Sequence, residues 1–127
     1  MTLQDKSQSA ASWTDTPFEL EVKSLPNATL VCVRGSCTMS VADRLTQKLV
    51  DLASEQTPLI IIDMAGLDFI ESTGLGGIVA GYLRARKNGG EIRLLSPPPF
   101  IRQLLQLTRL TQLFQICTTL DDAQRTG

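Results

Sequence analysis

The sequence predicts an α/β domain, a small mixed β-sheet flanked by helices, and three observations carry that reading. Two apolar segments separated by little more than a Pro26-Asn27 turn open the folded part of the chain. Leu59-Ile60-Ile61-Ile62 is an unbroken apolar run, the pattern of a central strand covered on both faces. Strands and amphipathic helical segments then alternate rather than segregating into blocks.

Each element has its own local cause. Residues 1–16 are polar and unpatterned apart from Trp13, so they read as a flexible leader, with one domain over 17–127. Phe18, Leu20 and Val22 alternate with Glu19, Glu21 and Lys23, the period of a half-buried strand. Thr29 to Arg34 follows as a second strand closed by Gly35, and the short connection makes the two an antiparallel hairpin. From Ser40 the period changes: Val41, Leu45, Leu49 and Leu52 share one helical face, opposite Asp43, Arg44, Gln47, Lys48 and Asp51. The central strand Leu59 to Ile62 ends at Asp63. A second helix runs from about Ser72 to Lys87 and stops at Asn88-Gly89-Gly90, with Arg84, Arg86 and Lys87 at the negative end of its dipole. Glu91 to Leu95 returns as a strand. Pro97, Pro98 and Pro99 lead into a third helix from Phe100 to Thr108, Phe114 to Cys117 forms a short last strand, and Thr119 with Asp122 caps a short final helix.

Composition narrows the function classes. The 127 residues carry 12 basic and 13 acidic side chains, so no strong field draws the chain onto nucleic acid or an anionic membrane. There is no histidine, which removes Ser-His-Asp and Cys-His nucleophile pairs and histidine metal ligation. Cys32, Cys37 and Cys117 form no CxxC pair, so neither a disulfide framework nor a metal site is expected, and a reducing cytoplasm fits best. The N-terminal residues lack the basic and apolar regions of a secretory signal. The longest uncharged stretch, Ser72 to Leu83, is too short to span a bilayer, so no membrane insertion is expected. No phosphate-cradling glycine loop is present. Gly74-Leu75-Gly76-Gly77 lacks the third glycine of a dinucleotide fingerprint, so no cofactor is expected either. Arg84, Arg86, Lys87, Arg93 and Arg102 lack interleaved aromatics and read as solvated charges rather than a nucleic-acid patch.

The informative segment is Gly66 to Gly77, read as a loop after the central strand that runs into the second helix, the place where open α/β sheets commonly carry a site. Helical placement puts Leu75, Ile78, Val79, Tyr82 and Leu83 on the core face, leaving Thr73, Gly76, Gly77 and Ala80 outward on a small, uncharged surface. Glycine inside a helix costs up to about 1 kcal/mol relative to alanine. Gly81 is therefore read as tight packing, and Gly76 and Gly77 as a surface that a partner backbone approaches. Ser72 falls where an N-cap belongs, and a phosphorylated hydroxyl at a helix start is tolerated by the amides and dipole there.

Phe69-Ile70-Glu71-Ser72-Thr73-Gly74-Leu75-Gly76 resembles the phosphorylation-site signature of STAS domains, specifically bacterial anti-sigma factor antagonists. The hairpin ending in Gly35, the LIIID strand, the NGGEIRLL turn and strand, and the SPPPFIRQLLQLTRLTQLF segment keep the family's order. The resemblance implies a non-enzymatic protein that binds a GHKL-type serine-kinase anti-sigma factor, frees the sigma factor, and is inactivated by phosphorylation at Ser72, with Thr73 as second candidate. A PP2C-like phosphatase would be the other partner. The implied docking surface comprises Thr38, Asp68, Glu71, Ser72, Thr73, Gly74, Gly76, Gly77 and Ala80. Three departures stand out: Glu71 where the family has aspartate, Ser36-Cys37-Thr38 where it has an acidic-Leu-Asp sequence, and Arg109 where it commonly has glycine. Other STAS domains dock on the ATPase of lipid-transporting ABC systems, an alternative that the retained Glu71-Ser72-Thr73-Gly74 disfavours. A hydrolase using Ser72 would lack a histidine base.

Overall fold

A computed structural model describes residues 16–125. The leader expected over 1–16 lies outside the described residues except for Thr16. Five strands, β1 (Glu19–Ser24), β2 (Thr29–Cys37), β3 (Leu59–Ile70), β4 (Glu91–Leu95) and β5 (Gln115–Cys117), form one sheet in sequence order. β1 pairs antiparallel with β2, as the short turn requires, and all other pairs are parallel. The helices are α1 (Met39–Ser54), α2 (Ser72–Lys87), α3 (Pro99–Leu107) and α4 (Leu120–Gln124), with a 3-10 turn at Leu110–Gln112.

The sheet separates two apolar layers by strict alternation. Ile60 and Ile62 point with Val31, Val33 and Leu94 toward α1, α2 and α3, where they meet Leu45, Leu49, Ile78, Ile101 and Leu105. Leu59 and Ile61 point with Leu30, Cys32, Leu95 and Cys117 toward Ala123 of α4. Ile60, Ile61 and Ile62 are all inaccessible, and burying each contributes up to about 1.5–3 kcal/mol. The expected two-sided burial of this run holds because helices cover both faces.

The expected ends of β2 and β3 need correction. Gly35 does not close β2: it takes φ 83°, a left-handed conformation that glycine tolerates, and the strand continues to Cys37. A side chain at Gly35 would overlap the Pro17 carbonyl oxygen, and Ser36 N donates to Thr16 O at 3.2 Å, so the incoming chain lies against the strand there. β3 likewise runs eight residues beyond Ile62 to Ile70. The segment read as a loop is strand because β2 continues beside it, in a register with irregularities between Cys32 and Arg34 and between Gly35 and Ser36. Asp63 accepts a bond from Ala65 N at 3.0 Å within β3.

Helix α1 buries Ala42, Leu45, Leu49 and Ala53, while the expected core residues Val41 and Leu52 are partly buried. α2 lies beside α1 with the same polarity, and the pair is joined along its length. Gly77 meets Thr46, and Gly81 meets Leu49 so closely that an added Cβ would stand 2.8 Å from Leu49 Cβ. At the far end Asn88 Nδ2 donates to Ala53 O at 2.8 Å and Arg84 Nη1 to Ser54 Oγ at 3.0 Å.

Two charged residues also depart from expectation. Arg93 is not one of the solvated cations: it is buried on the α4 side of the sheet. Its Nε and Nη2 pair with Glu91 at 2.9 and 3.2 Å, and its Nη1 donates to the carbonyls of Ala123 and Arg125. The fork thereby closes the C-terminal end of α4, whose start is capped as expected by Thr119 Oγ1 accepting from Asp122 N at 3.1 Å. Arg109, where the family commonly has glycine, takes φ 63° and ψ 18°, so the left-handed turn is retained with an arginine in it.

Candidate functional site

Parallel pairing brings the starts of three helices to one end of the sheet. α1 follows β2 after Thr38 alone, α2 follows β3 after Glu71 alone, and α3 follows β4 after residues 96–98. Their positive dipole ends therefore gather at the carboxyl edge of the parallel strands. Thr38, Glu71 and Pro98 are the N-cap residues, all extended, and none caps its own helix through its side chain.

Ser72 is thus not the N-cap. Glu71 takes that role at φ −88° and ψ 167°, and Ser72 is the first helical residue. The residue is exposed, with no hydrogen-bond partner for its side chain among the described residues. Thr73 beside it is also exposed. The Glu71 carboxylate reaches sideways instead: Oε2 accepts from Met39 N at 2.9 Å, and the Glu71 amide donates to Cys37 O at 3.0 Å. Thr38 Oγ1 lies 3.0 Å from Ser40 Oγ.

Placement of the expected surface residues is mixed. Asp68, Ser72, Thr73, Gly76 and Ala80 are exposed, and Thr38 and Glu71 are half-buried. Nothing lies within 4 Å of where a Gly76 side chain would begin, so that glycine faces outward as expected. Gly77 does not: it is buried against Thr46 of α1, and a Cβ there would overlap the Thr46 hydroxyl. Gly74 is buried too, with Ile70 Cγ1 and Cys37 Sγ 2.8 and 2.9 Å from the position of its missing Cβ. Leu83, expected in the core, is 60% exposed. The buried face of α2 is therefore rotated by roughly a quarter turn toward α1, compared with a helix facing the sheet alone. Gly81 packs as expected, although against Leu49 as well as Ile92.

Two exposed apolar residues at this end were missed by sequence reasoning. Met39 opens α1 and is 65% exposed, and Phe100 in the first turn of α3 is 56% exposed. Each is an apolar residue in the first turn of its helix, which was the available signal, but the meeting of three helix starts comes only from the topology. Of the departures beside Glu71, Ser36 and Cys37 lie buried in β2, so only Thr38 reaches the surface. Burial pushes the Cys37 thiol up to about 11, with the Glu71 charge adding to it, and the thiol stays protonated at neutral pH.

The chemistry available at this end is that of an exposed hydroxyl on a small, neutral helix flank. Among the described residues no group of three or more metal-ligating side chains occurs, and no helix is long and apolar enough to cross a membrane.

A five-stranded mixed sheet with its helix starts gathered around an exposed serine defines a STAS-type domain. The STAS domain family model matches residues 19–123, and the chain belongs to that family. Among curated relatives, the anti-sigma-B factor antagonist of Bacillus subtilis is 29% identical over 99 residues, covering 78% of this chain and 90% of the relative. A crystal structure of an anti-sigma factor antagonist from Mycobacterium paratuberculosis matches with TM-score 0.76 and 28% identity, over 84% of this chain and 91% of that one. The anti-sigma factor antagonist SpoIIAA in its unphosphorylated form shares the fold, with TM-score 0.70 and 21% identity over 84% of this chain and 92% of its own.

Proposed function

We propose that this protein is an anti-sigma factor antagonist, switched by phosphorylation of Ser72. The observation that carries the reading is the exposed Ser72 hydroxyl at the start of α2, on a flank formed by Thr73, Gly76 and Ala80. The names of the relatives support the same role.

In the unmodified state the small neutral flank docks on a GHKL-type serine-kinase anti-sigma factor, with Thr38, Asp68 and Glu71 at its border, and the sigma factor is freed. The kinase then transfers the γ-phosphoryl group of ATP to Ser72 Oγ. The serine O–P bond forms as the bond to ADP breaks, and the hydroxyl proton passes to a base on the kinase. Hydrolysis by a PP2C-like phosphatase returns the serine and inorganic phosphate. The modification adds about −1.5 to −2 charges beside Glu71 and Asp68, and the gathered helix starts tolerate it without unfolding. A partner surface shaped for a neutral flank must desolvate that charge, which costs more than about 3 kcal/mol, a hundredfold or more in affinity.

The test measures partner affinity and thermal stability side by side for unmodified, phosphorylated and Ser72→Ala protein, using the kinase recovered from native cytosol by pull-down. Binding should be lost only on phosphorylation, with the melting temperature retained. Equal affinity for the first two forms, or loss of binding that tracks unfolding, overturns the mechanism.

A further inference from the structure

We propose that Glu71 relays the state of Ser72 to the start of α1, acting as a positioning residue between the two helices. The inference rests on the reading of Ser72 as the modified residue. It begins from an uncapped helix: α1 has no acidic residue in its first turn and receives no cap from Thr38, whose hydroxyl is engaged with Ser40. The acceptor at its first amide comes from 32 residues away in sequence, where Glu71 Oε2 receives Met39 N at 2.9 Å. A charged acceptor at a helix start strengthens both the hydrogen bond and the dipole interaction. The backbone of Glu71 is held as well, its amide donating to Cys37 O at 3.0 Å, so the carboxylate has a fixed pivot.

Ser72 is the next residue in the chain. A phosphate there sets a dianion beside the carboxylate, and the two anions compete for the same amide-rich helix starts. The carboxylate is the weaker charge and sits on the freer arm, so it swings away from Met39 N. The first turn of α1 then loses its cap, and Met39, 65% exposed, loses its fixed position. Phosphorylation at one helix thus alters the apolar surface presented by its neighbour, which pure charge repulsion at Ser72 would leave untouched.

The experiment uses the full chain with phosphoserine placed at position 72 by genetic encoding, and follows the Met39 amide by NMR hydrogen exchange and chemical shift. Unmodified protein should protect this amide, and phosphoserine should accelerate its exchange by about tenfold or more, matching loss of a charge-assisted bond. Glu71→Ala should exchange fast in both states. Glu71→Gln, which keeps an acceptor oxygen but no charge, should stay protected in both, so that phosphoserine accelerates exchange in the wild-type chain alone, a contrast that a merely structural role for Glu71 does not produce. An unchanged Met39 amide on phosphorylation of the wild-type chain overturns the relay. Because the phosphate is installed genetically, that result leaves the proposed switch standing, whereas unmodified Ser72 in native cells would overturn the switch and not the relay.

Discussion

The two flanks of α2 are built from the same small residues for opposite reasons. On the packed side, Gly77 and Gly81 lack side chains because Thr46 and Leu49 of α1 occupy that space, and Gly74 because Ile70 and Cys37 of the strands do. On the open side, Ser72, Thr73, Gly76 and Ala80 are small with nothing packed over them. Close packing explains the first set entirely. Gly76 in the second set costs helix stability without a contact inside the domain to offset it, which is why this side reads as a surface kept clear for another molecule.

Arginine scanning of two adjacent positions is the severest way to break this comparison. Gly77→Arg forces a charged side chain into the contact with Thr46 and should destabilise the domain by more than about 3 kcal/mol. Gly76→Arg, one residue earlier, should leave the melting temperature unchanged or slightly raised, since arginine gains up to about 1 kcal/mol over glycine in an exposed helix, while abolishing partner binding. Similar stability for the two variants would show that the flanks are not distinct.

A pH titration sharpens the packed side. Cys37 lies beneath Gly74, and its folded pKa is raised to about 11 from an ordinary 9.0. The folded state keeps the thiol proton longer than the unfolded chain does. Stability should therefore be intact below pH 9 and fall by on the order of 2 kcal/mol as pH rises from 9 to 11. Denaturant melts of wild type and Cys37→Ala across that window should diverge, and parallel curves would mean that the thiol is not sealed by the packing.

The smallest effect belongs to the open side. Ser72→Ala should cost only a few tenths of a kcal/mol, because the hydroxyl at N1 caps nothing. A loss near 1 kcal/mol in thermal denaturation would show that the hydroxyl does bond the helix start in solution.

Much of this was legible because hydropathy period is a local signal. The bounds of α2 and β4, the antiparallel hairpin and the two-sided burial of Leu59 to Ile62 all follow from residues within one element or its immediate turn. The extension of β3 to Ile70 was hidden because Gly66 and Asp68 look like a turn until β2 is known to continue beside them past Gly35. The direction of Gly77 failed for a related reason: a helix flanked by another helix buries a wider arc than its apolar stripe announces. At the site, Thr73, Gly76 and Ala80 could be placed from helical phase alone, whereas Ser72 was read as the N-cap and stands one position inside the helix, and the bond from Met39 to Glu71 joins residues that nothing in their own neighbourhoods connects.

The pinning of α1 to α2 has a mechanical consequence. Each helix has 16 residues and is about 24 Å long. They are tied at one end through Glu71 and Met39, at the other through Asn88 and Ala53, and touch between at Gly77 and Gly81. Two rods clamped in this way form a beam, which resists the bending and sliding that either rod alone would permit. A displacement imposed at the Ser72 end is then delivered to the Ala53 and Asn88 end as a tilt of the whole pair. A probe attached at that distant end would sense the proposed docking without touching the surface around Ser72.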